Sequence, residues 1–113
     1  MPRSNGLPPG TLILLILRVV RPGPLHGYAI AQRIRALSSE QLSVEEGSLY
    51  PALQRMKRKG WIHSEWRVTE NNRRARYYLL TPAGERQLER EMAEWARASS
   101  GVNWVLGWNG GAA

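Results

Sequence analysis

The chain has 113 residues, enough for one hydrophobic core and too few for two. An apolar fraction of 42% and a mean hydropathy of -0.42 suit a folded soluble domain, and the lack of cysteine excludes disulfides, thiol catalysis and cysteine-bound zinc, so a reducing, cytoplasmic setting is expected. The net charge of +7 calls for an anionic partner, and it is unevenly spread: residues 1–81 carry 13 cations against 5 glutamates, residues 82–113 carry 3 against 4.

The opening "MPRSNGLPPG", residues 1–10, is rich in Pro, Gly, Ser and Asn and is expected to form a flexible arm. The run "LILLIL" that follows, Leu12 to Leu17, is far shorter than the roughly 20 residues of a membrane span. Arg18 and Arg21 close it and no cleavage site follows, so neither a signal peptide nor a membrane partner is expected. Thr11 to Val20 instead predicts a helix apolar on all sides, the hub of the core. "RPGP" ends it, and His26 to Leu37 predicts a second helix with Ile30, Ile34 and Leu37 on one face.

Ser43 and Glu46 have the spacing of a capping box, which predicts a third helix from about Val44. Its buried side is Leu49, Leu53 and Met56, and Gly60 ends it after Lys57, Arg58 and Lys59. Pro51 removes one helical hydrogen bond, but the crowded carbonyl belongs to Gly47, so a tolerated kink is expected; a start at Pro51 itself is the alternative. Beyond Gly60, Ile62, Trp66 and Val68 alternate on one face of a strand, Ala75, Tyr77 and Leu79 on one face of another, and "TENNR" turns between them. Thr81 and Pro82 then give the cap and first residue of a last helix. Leu88, Met92, Trp95, Ser99, Val102 and Leu106 recur on it at 4, 3, 4, 3 and 4, an a/d seam. Such a helix pairs with a second copy or folds back over its own core. Its extent past Ser100 is open because Gly101 lies within it.

Three helices and a hairpin in this order predict a mainly helical α+β fold, a winged helix-turn-helix over residues 11–81, followed by a dimerisation helix over 82–107 and a disordered tail over 108–113. With Leu49, Leu53 and Met56 inward, Ser48, Pro51, Gln54, Arg55 and Arg58 face outward. Arg and Gln can read base edges there, Ser can meet phosphate, and the helix N-terminus adds a positive dipole end. Arg73, Arg74 and Arg76 crowd the hairpin tip, where like charges are costly without an anion, although a solvated charged face is the plainer alternative.

The segments "GPLHGYAIAQRI", "GSLYPALQRMKRKGWI", "RRARYYLLTPAGERQL" and the later "EW" resemble the PadR family of bacterial transcriptional regulators, from Leu12 to Leu106. The resemblance implies a homodimer formed through the last helix, acting mainly as a repressor on double-stranded DNA, with Ser48, Tyr50, Arg74 and Arg76 at the DNA. An inverted-repeat operator follows from the two-fold symmetry. The resemblance also implies that Trp95 could line a pocket for a small planar aromatic effector; a seam residue packed on the partner's first helix is the alternative. The apolar "SSGVNWVLGW" departs from the more charged helix end usual in the family.

His26 and His63 have no second ligand at metal spacing, so no metal and no cofactor are expected. With no aspartate, cysteine or glycine-rich phosphate loop, the chain is not expected to be an enzyme. The rival function is a winged-helix interaction module whose basic face binds an acidic protein.

Overall fold

The computed structural model describes residues 6–8 and 10–108. The expected arm lies mostly outside the described residues, and so does the expected tail. Helix α1 (Leu12–Val20) buries Leu14, Ile16, Leu17, Val19 and Val20, which takes both sides of the helix out of water as its uniform apolarity predicts. Each such side chain contributes about 1.5–3 kcal/mol of burial. Helix α2 (Gly27–Leu37) adds Ile30 and Ile34, whereas Leu37, expected on the same face, is 64% exposed because the chain turns away after it. Ser39 and Glu40 make that turn with positive φ angles of 53° and 64°.

Helix α3 (Glu46–Arg58) buries Leu49, Ala52, Leu53 and Met56 and runs through Pro51. The capping box does not form. The N-cap is Glu45, with no side-chain hydrogen bond, because Leu42 and Val44 pack against the core and hold the preceding chain extended past Ser43. Gly60, at φ +78°, closes α3: its N–H donates to the Lys57 carbonyl (2.9 Å) and the Trp61 N–H to the Met56 carbonyl (3.0 Å).

The sheet has three strands, not two. Strand β1 (Leu25–His26), β2 (Ile62–Val68) and β3 (Arg74–Leu80) lie in the order β1-β3-β2, all antiparallel. Two residues are too few for periodicity to reveal β1. The register pairs Ile62 with Leu80, Ser64 with Tyr78, Trp66 with Arg76 and Val68 with Arg74, so these eight side chains share one face. Its core end is Ile62, Tyr78 and Leu80; Ala75, Tyr77 and Leu79 share the other face. Trp66 and Val68 share the face of Ile62 as expected but lie beyond the core and are exposed.

Helix α4 (Pro82–Leu106) begins as predicted: the Thr81 side chain accepts a hydrogen bond from the Gly84 N–H at 2.9 Å, and Pro82 is its first residue. It continues through Gly101 and ends at Gly107, whose φ is +85°. Its first turns dock on the body through Gly84 and Leu88, and Arg21 at the end of α1 grips Glu85 (2.5 Å) and Glu89 (2.7 Å), one turn apart. After Leu88 no residue of α4 is buried. The helix thus folds back over the core at one end and projects at the other.

Candidate nucleic-acid interface

On α3 the pattern of 3.6 residues per turn separates two sides. Ser48, Pro51, Gln54, Arg55 and Arg58 are all exposed, opposite the buried Leu49, Ala52, Leu53 and Met56. The start of α3 is less positive than a bare helix end, because Glu45 is its N-cap and Glu46 lies in its first turn. Cationic character therefore gathers toward the other end, at Arg55, Lys57 and Arg58.

Tyr50 is 41% exposed and is held from beneath. A Cβ on Gly27 would lie 2.5 Å from the Tyr50 hydroxyl oxygen and 2.9 Å from the ring, so the ring rests on the bare backbone where α2 begins. Burial pushes the Tyr78 phenol above its ordinary range; the nearby Tyr50 hydroxyl adds to the rise and the Arg76 charge opposes it. Helix α3 packs against the wing at β2.

The hairpin is two-faced. On one side Arg67 binds Glu65 at 2.6 Å and stacks over Tyr77, while His63 lies 3.8 Å from the same carboxylate. On the other, Arg74 and Arg76 lie over the Trp66 ring, 5.0 and 4.9 Å from its centroid, and Arg76 Nη1 donates to Ser64 Oγ at 3.0 Å. Neither arginine has a carboxylate partner among the described residues, nor does Arg73 in the turn. The turn is set by Asn72 (φ 61°) and by the Thr69 N–H donating to the Arg73 carbonyl at 2.6 Å.

The wing face and the exposed side of α3 thus bring together Ser48, Tyr50, Pro51, Gln54, Arg55, Arg58, Arg74 and Arg76 on adjoining elements, with Arg73 at the tip. Sequence periodicity placed Trp66 on a strand face without a role; its place opposite Arg76 in the register was the signal that could have found it.

The seam residues divide. Leu88, expected at a dimer contact, is fully buried in its own core, since α4 folds back onto α1 at that point. Met92, Trp95, Val102 and Leu106 are exposed, as are Trp104, Val105 and Trp108. Trp104 follows Trp95 by two and a half turns and so occupies the opposite side of the helix. Among the described residues no three His, Asp or Glu side chains gather as metal ligands, and no helix is long and apolar enough to cross a membrane.

Comparison with known proteins places this geometry. Residues 16–90 match the family described as "Transcriptional regulator PadR-like family". The chain is 37% identical over 87 residues to a transcriptional regulator of Mycobacterium tuberculosis, covering 74% of this chain and 78% of that protein. It is 43% identical over 89 residues, 79% of its length, to a 37.1 kDa uncharacterized protein of a Streptomyces fradiae transposon, of which it spans only 24%. The crystal structure of a PadR family transcription regulator from Clostridium difficile is similar with a TM-score of 0.74 and 31% identity, covering 86% of this chain and 99% of that one. A winged helix with exposed, unpaired arginines on its wing, matched over most of its folded length, belongs to the PadR-like family of transcriptional regulators, which bind DNA and are not enzymes.

Proposed function

We propose that the chain is a homodimeric, sequence-specific repressor. Two copies join through the projecting part of α4, with Met92, Trp95, Val102 and Leu106 in the contact. The support is that a row of large apolar side chains exposed on a lone helix marks an interaction surface. Each copy lays α3 in a major groove, where Gln54, Arg55 and Arg58 reach base edges and Ser48 and Tyr50 the backbone, while Arg73, Arg74 and Arg76 meet phosphates from the wing. The dyad then sets half-sites of an inverted repeat about 10 bp apart or a multiple of that.

The observation that carries this reading is the set of exposed cations without carboxylate partners among the described residues on α3 and on the wing, two elements that pack together at β2. Phosphate is the anion whose density matches such a surface. Trp95, 47% exposed on the dimer helix, is the residue against which a planar aromatic effector would stack to release the DNA.

The test is selection of the purified protein against random duplex DNA at near-physiological salt. An enriched inverted repeat is expected, and Arg74→Ala with Arg76→Ala should weaken its binding and flatten the salt dependence by about one unit per lost phosphate contact. Challenge of that complex with planar aromatic compounds should release DNA from the wild type but not from Trp95→Ala. Bulk binding with no enriched sequence would instead favour a module for an acidic protein.

A further inference from the structure

Trp66 sits on β2 directly across from Arg76 and diagonally from Arg74, which is close enough for a large ring to touch both side chains. Both guanidiniums lie about equally far from its centroid, at 5.0 and 4.9 Å, within the range of cation–π attraction. The ring is 53% exposed, so it closes no core. Yet two like charges gathered on one small ring repel each other, and long arginine side chains lose rotamer freedom when held. Salt bridges normally supply the compensation. On this face there is none: the nearest strand carboxylate, Glu65, is on the opposite face and is engaged by Arg67.

We infer that Trp66 is a positioning residue for DNA binding: its ring, with the Ser64 hydroxyl, holds Arg74 and Arg76 as a preformed pair aimed at the phosphate backbone. The aromatic face attracts each cation without neutralising it, which a carboxylate in the same place would do. The pair therefore keeps its full charge for phosphate while its ordering cost is met in the free protein, so that less is lost on binding. Ser64 fixes the Arg76 end through its 3.0 Å hydrogen bond. This deepens the proposed wing contact and rests on it.

The test compares Trp66→Phe, Trp66→Leu and Trp66→Ala in the full chain, titrated onto the selected operator over a range of salt. Two exposed cation–π contacts predict about a five- to thirtyfold loss of affinity in the Leu and Ala variants, with most of it restored by Phe. The loss should be non-additive. Removal of Arg76 should cost less in the Trp66→Leu background than in the wild type, because the unheld arginine contributes less. Thermal melting of each variant controls for folding, which an exposed strand position should barely disturb.

If Trp66→Leu binds as tightly as Trp66→Phe, or if its effect adds fully to that of Arg76→Ala, the ring does not position the pair and the inference is overturned while the wing contact stands. If Arg74→Ala and Arg76→Ala themselves leave affinity and salt slope unchanged, the wing contact fails and takes the inference with it.

Discussion

Alanine at Gly84 and alanine at Gly101 are the same substitution in the same helix, and the structure requires opposite effects. A Cβ on Gly84 would lie 2.0 Å from the Trp61 carbonyl oxygen, 2.9 Å from its carbon and 2.7 Å from Leu80 Cδ1. The leucine methyl can turn aside. The carbonyl cannot, because it accepts the Thr81 N–H at 3.1 Å and the Thr81 hydroxyl at 3.0 Å. Relief means lifting the start of α4 off β2, which also strains the cap from the Gly84 N–H to Thr81. Overpacking costs about 1–3 kcal/mol and a weakened cap about 1 kcal/mol, against a gain of about 0.5–1 kcal/mol from helix propensity. Net destabilisation by about 2–3 kcal/mol should lower Tm by roughly 10–20 °C for a domain near this size. Gly101 meets nothing within 4 Å, so only the propensity gain remains and Gly101→Ala should raise Tm by a few degrees, on the order of 3–6 °C. Circular dichroism melts at one fixed protomer concentration give the comparison, since association would shift Tm by itself. A Gly84→Ala protein that melts at or above the wild type would refute the close approach of α4 to Trp61 and, with it, the docking of α4 on the body.

Gly27→Ala should separate binding from stability: the atoms in its way are the far end of the Tyr50 side chain, which can swing, so melting should change by less than about 1 kcal/mol while operator affinity falls on the order of tenfold. Unchanged affinity in a titration would mean that Tyr50 does not need its seat on α2. The Tyr78 phenol predicts an alkaline loss of stability, because its folded pKa is raised by burial. An unfolded tyrosine ionises near about 10, so above that pH the unfolded chain releases a proton that the folded chain keeps, and stability falls as pH rises toward the folded pKa. Below that range Tyr78 contributes no pH dependence. Tm followed from about pH 8 to 11 should therefore decline less steeply in Tyr78→Phe than in the wild type; equal slopes would contradict a buried phenol there.

The parts of the fold that were legible in sequence are those fixed by local chemistry. The Thr81 hydroxyl, Pro82 and Gly60 each mark an element end through a bond or an angle that needs no distant partner. Helix α3 was equally legible: its inward leucines and its passage through Pro51 follow from spacing and from an exposed Gly47 in the place where proline removes a donor. Tertiary contacts decided the rest. Ser43 has the right spacing for a cap but loses to the packing of Leu42 and Val44. Strand β3 lies between β1 and β2, with partial cover on both faces, so its alternation was legible but neither set of alternate residues is clearly apolar and the inner face was not. Leu88 obeys the seam spacing because a helix face presents the same pattern whether its own core or a second copy covers it.

The same distinction applies to charge, where composition gives a sum and the structure gives its availability. Arg21, Arg35 and Arg67 each lie within ion-pair distance of a glutamate. Arg55, Lys57, Arg58, Arg73, Arg74 and Arg76, on α3 and the wing, have no such partner among the described residues, and neither do Arg18, Arg33, Lys59, Arg86, Arg90 and Arg97 elsewhere on the surface. Only cations of the second kind can exchange a counterion for a phosphate without first breaking a pair, so on the proposed reading those on α3 and the wing set the salt dependence of DNA binding. The net charge of +7 does not. Glu65 shows how local this control is: it quiets Arg67 on one face of β2, while on the other face Trp66 holds two arginines with their charge intact. Helix α3 packs against the wing at β2, so on the proposed reading a duplex meeting one element is oriented toward the other.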